Sequence, residues 1–147
     1  MEAPSLGGVL THYFSVSREF QCNGDSLWEM VIDIPNITKY WRGFREVQPI
    51  GDELFRVRFA FPASGVVRIV PDHQNRTLVI EYLKGPFRGK NRVIVEDRKI
   101  VSNWEVEFNG FYKLMAKRNV EHFRSGAQHA LDRLVEECSF RSQHSPG

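Results

Sequence analysis

Two periodicities divide the chain. From about Leu10 to Phe20, His12, Phe14 and Val16 alternate with Tyr13, Ser15 and Ser17, the period-two signature of a strand. Asn23, Gly24 and Asp25 break that alternation and offer an N-cap for a short helix over Ser26 to Asp33, in which Leu27, Met30, Val31 and Ile34 recur at helical spacing. Pro35 stops this helix or starts a second turn through Ile37 and Tyr40, because proline lacks the N–H and disfavours helix in the residue before it. A broken pair of small helices is expected.

From Phe44 to Asn109 the pattern returns to strands separated by turn residues. They run over Phe44 to Ile50, Glu53 to Phe61, Val66 to Val70, Arg76 to Leu83, Asn91 to Val95 and Ile100 to Phe108. Phe55, Val57, Phe59 and Phe61 alternate with Arg56 and Arg58, and Ser102, Trp104, Val106 and Phe108 with Glu105 and Glu107. Such patterning predicts an antiparallel sheet with one covered and one wet face. The last element, Phe111 to Cys138, has no proline and spans about 42 Å at the helical rise if unbroken. On a helical wheel Tyr112, Phe123, Ala127, Ala130, Leu131, Leu134 and Cys138 share one side, opposite Lys117, Glu121, Arg124, Gln128 and Asp132. This helix is expected to cover the sheet.

The 147 residues suit one domain, 1–147, whose ends at 1–8 and 140–147 read as flexible tails. A hydrophobic content of 41% with 26% charged residues is ordinary globular usage. The net charge of +2 gives little field for steering to a phosphate backbone, so no nucleic-acid partner is expected. Met1 to Leu10 lacks the basic and apolar regions of a signal peptide, and no apolar run is long enough to span a bilayer. A cytoplasmic location follows as an expectation, with Cys22 and Cys138 as reduced thiols.

The order of strand, two short helices, six-strand meander and long C-terminal helix resembles the START and Bet v 1-like superfamily, also described as polyketide cyclase/dehydrase and lipid-transport domains. The resemblance covers roughly His12 to Cys138. It is carried locally by the stretch Phe20 to Trp41, with Asp25, Leu27, Trp28, Ile32, Asp33, Ile34 and the pair Tyr40 and Trp41. It implies an α+β helix-grip fold, a curved antiparallel sheet of about seven strands around the C-terminal helix. It also implies a cavity between sheet and helix for a sterol, lipid, isoprenoid or polycyclic aromatic compound.

The residues allow such a cavity independently. The covered face presents Phe55, Val57, Phe59, Phe61, Trp104, Val106 and Phe108, a lining suited to ring stacking and dispersion. Opposite them the helix offers Tyr112, Met115, Asn119 and Phe123, with Asn119 as a polar anchor and Gly126 removing side-chain volume. The same features also fit a filled core in which Gly126 serves only a close helix approach.

Candidate chemistry is sparse. None of His12, His73, His122, His129 and His144 falls in a zinc-ligand pattern, and neither a metal nor a cofactor is expected. His122 and His129 lie on one flank of the helix, as surface histidines or as a general base at a cavity rim. Glu105 and Glu107 belong to the wet face, as partners of Arg56, Arg58, Arg68 or Arg92. The run Gly85 to Lys90 lacks the spacing of a phosphate loop and reads as a mobile hairpin turn, with Phe87 as a gate if it borders the cavity. Lys113, Lys117, Arg118 and Arg124 collect on the outer side of the helix, as a solvated face or a patch for transient contact with an anionic membrane.

Three functions follow, of which the first is binding or carriage of an apolar small molecule. The second is a cyclase, dehydratase or hydrolase using the same cavity, with His122, Tyr112 or Tyr82 transferring a proton. The third is a protein-interaction domain with a filled core. The sequence does not indicate an oligomeric state.

Overall fold

The computed structural model describes residues 10–144. Strand β1 (His12–Glu19) leads to helix α1 (Gly24–Val31), a 3₁₀ turn at Ile34–Asn36 and the single-turn helix α2 (Ile37–Tyr40). Asn23 caps α1 by accepting the Ser26 N–H at 3.0 Å, and Pro35 sits in the first positions of the 3₁₀ turn, where its missing N–H costs nothing. The chain then runs through β2 (Phe44–Gly51), β3 (Leu54–Phe59), β4 (Ser64–Asp72), β5 (Thr77–Lys84), β6 (Phe87–Val95) and β7 (Lys99–Phe108). All neighbours pair antiparallel in the order β1-β7-β6-β5-β4-β3-β2, so the first strand closes one edge against the last. A 3₁₀ segment at Gly110–Met115 precedes the long helix α3 (Ala116–Gln143). This is the expected α+β helix-grip fold.

Alternation decides which side of the sheet is covered. Val57 and Phe59, Val67 and Ile69, Leu78, Ile80 and Tyr82, Val93 and Val95, and Trp104, Val106 and Phe108 are all buried on the face toward α3. On the other face Arg68 pairs with Glu81 at 3.3 Å and Arg92 with Glu105 at 3.4 Å, cross-strand pairs of the kind expected for that glutamate. Asn91 and Ser102 are the buried polar residues among those described, and the Ser102 hydroxyl donates to Asn91 Oδ1 at 2.6 Å.

Four local expectations are corrected. The C-terminal helix is not continuous from Phe111: 110–115 wind as a 3₁₀ segment, whose tighter turn puts side chains in different directions from an α-helix. It also runs beyond Cys138, so Phe140 to Gln143 are helical; the remaining expected tails, 1–8 and 145–147, lie outside the described residues. The run Gly85 to Lys90 is not a turn throughout, since Phe87 to Lys90 belong to β6. Only Gly85 and Pro86 separate β5 from β6, held by Asn109, whose backbone N–H and side-chain amide donate to the Pro86 and Gly85 carbonyls at 3.0 and 2.9 Å. Phe87 is buried in the strand that follows and is no gate. Gly89 has φ +141°, and a Cβ there would lie 2.0 Å from the Glu105 carbonyl oxygen, so glycine is what lets β6 and β7 approach.

The cysteines are the fourth correction. Cys22, just beyond β1, and Cys138, near the end of α3, form a disulfide with their Cα atoms 6.0 Å apart. The absence of a leader-like pattern suggested free thiols, but spacing along the chain carries no information on pairing across 116 residues. The pairing overturns the reduced thiols that accompanied the expected cytoplasmic location, since stable disulfides belong to oxidising surroundings. No helix among the described residues is long and apolar enough to cross a membrane, which leaves β-barrel spanning unaddressed.

Closing so long a loop removes much of the unfolded chain's freedom and stabilises the fold by about 2–5 kcal/mol. Reduction, or the Cys22→Ala, Cys138→Ala double variant, is therefore expected to lower the thermal midpoint by roughly 10 °C. Identical melting curves with and without reductant would show that the bridge does not form in solution.

Candidate functional site

Helix α3 changes character along its length. Its second half sets Ala127, Ala130, Leu131, Leu134 and Cys138 fully buried against the sheet and α1. No residue of its first half, 116–126, is fully buried; Phe123 and Val120 are half-buried and most others are charged or polar. The first half therefore stands off the aromatic part of the sheet, and a cavity of about 320 Å³ lies between them. That is at the lower end of the range for small-molecule sites, roughly 300–1,000 Å³.

Its floor is aromatic. Tyr82 stacks on Trp104 with ring centres 5.6 Å apart, and Phe123 comes down from the helix to within 5.5 Å of Trp104 and 4.7 Å of Phe87. Phe44 and Phe59 close the far side at 6.0 Å from one another. All of these line the cavity, as does Trp41 at the exit of α2. Tyr82, Trp104, Phe59, Phe44, Phe87 and Trp41 are buried, so their ring faces are held by neighbours before anything enters.

The mouth is polar and basic. Exposed Arg42, Gly43 and Ala60 form one lip, and exposed His122, Gly126 and His129 the other, with half-buried Arg133 beside them. Arg133 donates from Nη1 to the Tyr40 carbonyl at 2.9 Å, tying the end of α2 to α3 two residues before Arg42. Burial, and next the Arg42 charge, hold the Arg133 guanidinium below its usual pKa range. Burial alone pushes the Tyr82 phenol well above its usual range, so it remains a protonated donor at any ordinary pH. Trp104 Nε1 is buried without an acceptor among the described residues.

Of the residues anticipated for the site, the structure brings Phe59, Phe61, Trp104 and Phe123 to the cavity. Phe61 arrives by a different route from that expected. β3 ends at Phe59, and the turn closed by Phe59 N–H to the Ala63 carbonyl at 3.0 Å folds Phe61 back to stack on Phe59 at 5.3 Å. Val57, Val106 and Phe108 are core, and Phe55 is half-buried against the core's edge. Tyr112 packs on Phe61 at 6.3 Å without reaching the lining, and Met115 is 39% exposed. Asn119 is not a polar anchor: its amide donates to the Tyr112 carbonyl at 3.2 Å, which joins the 3₁₀ segment to α3.

A Cβ on Gly126 would meet nothing within 4 Å, which excludes the close-approach reading and leaves open space beside the helix. Arg124 does not belong to the outer basic patch, because its guanidinium lies 5.1 Å over the Phe14 ring. Trp41, Arg42, Phe44 and Arg133 are lining residues that the sequence reading does not anticipate, whereas Tyr82 and Phe87 enter it only as a proton-transfer group and a gate. Alternation through Leu78, Ile80 and Tyr82 carried the signal for Tyr82, whereas the Trp41 to Phe44 lip depends on where α2 stops.

No protein-family model matches the chain, and no curated protein resembles it in sequence. Solved structures do resemble it in fold. The ZhuI aromatase/cyclase from Streptomyces sp. R1128 superposes with a TM-score of 0.69 at 14% identity, covering 94% of this chain and 99% of that one. Norcoclaurine synthase from Thalictrum flavum, in complex with dopamine and hydroxybenzaldehyde, gives 0.64 at 15% identity over 95% and 91% of the two chains. A START superfamily protein from Mycobacterium smegmatis gives 0.57 at 10% identity over 84% and 99%.

Because glycine in a helix interior is less favourable than alanine and the added methyl meets no atom, Gly126→Ala is expected to stabilise the protein by about 0.5–1 kcal/mol in urea unfolding. A loss of stability would mean that the space beside Gly126 is occupied. The helix-grip fold that these structures share with this chain is what holds an aromatic wall beneath a half-lifted helix.

Proposed function

We propose that the chain binds or carries an apolar small molecule, lipid, isoprenoid or polycyclic aromatic, in the cavity beneath the first half of α3. The observation that carries this reading is the wall of buried rings, Tyr82, Trp104, Phe59 and Phe44, that faces empty volume instead of packed side chains. Native interiors are filled to crystal-like density, so an open aromatic space of this size is retained at a cost in stability that a ligand repays. Trp104 Nε1 and the Tyr82 hydroxyl supply donors for one acceptor on an otherwise apolar guest. A solved norcoclaurine synthase of this fold is in complex with dopamine and hydroxybenzaldehyde, both small ring compounds, which supports a ring-bearing guest here. The filled-core interaction domain fits the cavity poorly.

Outside the cavity, Phe111 and Leu114 are 73% and 81% exposed, next to exposed Lys117 and Arg118. That pairing of apolar tips with basic residues suits transient contact with an anionic membrane surface during loading.

An enzyme of cyclase, dehydratase or hydrolase type is the second reading, favoured by one specific arrangement: His122 and His129 sit at the mouth of the cavity that Tyr82 lines. Burial keeps Tyr82 protonated and makes it a poor proton donor, so in such chemistry it serves as a hydrogen-bond donor and proton transfer falls to a histidine at the mouth.

Trp41 and Trp104 both line the cavity, so a neutral ring compound such as N-phenyl naphthylamine is expected to quench tryptophan emission saturably at micromolar concentration. Gly126→Phe, which fills the space without removing any contact, is expected to weaken that binding at least ten-fold while leaving the circular dichroism unchanged. Quenching that persists undiminished in Gly126→Phe would place the binding elsewhere.

A further inference from the structure

The charges around the cavity are one-sided. Arg42, Arg133, His122 and His129 line it, and no aspartate or glutamate does. Arg42 makes no ion pair or hydrogen bond among the described residues, and Arg133 spends one N–H on the Tyr40 carbonyl. Asp132 and Glu136 act on Arg133 from outside the cavity lining, Asp132 being paired with Arg18 at 2.6 Å, and Glu136 and Glu137 share an outer groove with the two arginines. Glu137 is already committed, to Arg141 at 2.9 Å and Lys39 at 3.7 Å. The remaining charge points to what the cavity lacks. Two guanidiniums close enough for Arg42 to disfavour the charge on Arg133 gain from an anion placed between them, and their planar forks match an oxyanion with two acceptors.

Resting on the reading of the cavity as a small-molecule site, we propose that its ligand is an aromatic or polycyclic acid. The flat apolar body lies on Trp104 and Tyr82, and a carboxylate or equivalent oxyanion sits at the mouth between Arg42 and Arg133. The arrangement orients the guest as well as holding it. The rings enter first because the floor offers dispersion and stacking, and the charge stays at the rim, where it keeps part of its hydration and avoids the cost of burial in an apolar space. A neutral guest gains only the first of these contributions, and a cationic guest meets repulsion at the lip.

Two fluorescent probes of the same ring body separate the contributions: anilinonaphthalene sulfonate, which carries an oxyanion, and N-phenyl naphthylamine, which does not. The sulfonate is expected to bind the native protein at least ten-fold more tightly in low salt. Arg42→Gln is the clean variant, since Arg42 has no partner to lose among the described residues. It is expected to weaken the sulfonate three- to ten-fold, leave the neutral probe within two-fold, and keep the melting temperature. Arg42→Glu is expected to reverse the preference. Equal affinity for the two probes, or a sulfonate preference untouched in both variants, overturns the assignment while leaving the small-molecule cavity standing. Absence of binding by either probe overturns the cavity reading and this inference together.

Discussion

The packing of α3 on the sheet governs the rest of the structure. A helix of 28 residues can cover a curved sheet along its whole length only if its inner face stays apolar throughout, and this one does not. Small and aliphatic residues from Ala127 to Cys138 seat the second half without gaps. The first half, with Lys117, Arg118, Glu121 and His122 exposed and Gly126 at the boundary, has too little apolar surface to follow. The aromatic rows of β3, β5, β6 and β7 are thereby left facing a space, and Phe123 is the ring that reaches back across it.

Everything that makes the space usable is held from its edges. The Cys22–Cys138 disulfide and the Arg18–Asp132 pair at 2.6 Å fix the seated half of the helix to the end of β1. Arg133 clasps the end of α2, which sets the lip from Trp41 to Phe44. The Asn119 bond to Tyr112 ties the opposite end of the helix to the 3₁₀ segment. The helix is seated along its second half and tied at its start, and between the two only Phe123 reaches down to the aromatic floor, an arrangement that leaves a cavity without a separate lid. Its electrostatics follow from the same geometry: among the described residues, the charged and histidine groups that reach the lining are Arg42 from the lip and His122, His129 and Arg133 from the helix flank.

The fold was legible in the sequence because β1, β3, β5 and β7 alternate and one long proline-free segment follows the strands, although β2 alternates poorly and the first half of β6 reads as a turn. The site was legible only in part. Phe59, Trp104 and Phe123 followed from periodicity, but the same rule also promoted Val57, Val106 and Phe108, which share the inward face and are filled core, Phe108 beneath Phe123 at 5.5 Å. Alternation identifies a face; it does not say where along that face the helix lifts. The Arg42 lip and Arg133 were hidden because they depend on a contact between α2 and α3 across 93 residues. Asn119 shares the face of Phe123 on the helical wheel, but the 3₁₀ winding before Ala116 brings the Tyr112 carbonyl within reach of its amide, a local bond that no wheel shows. The disulfide joins segments whose proximity only the closed fold creates.

The most direct test is a two-dimensional NMR titration of the labelled protein with N-phenyl naphthylamine. The account predicts saturable shifts concentrated at the Gly126 and Ala127 amides and at the indole N–H of Trp41 and Trp104, with the convex-face strands unmoved. Shifts confined to the outer surface, or none at saturating ligand, would contradict the claim that the space beneath the first half of α3 is the binding site.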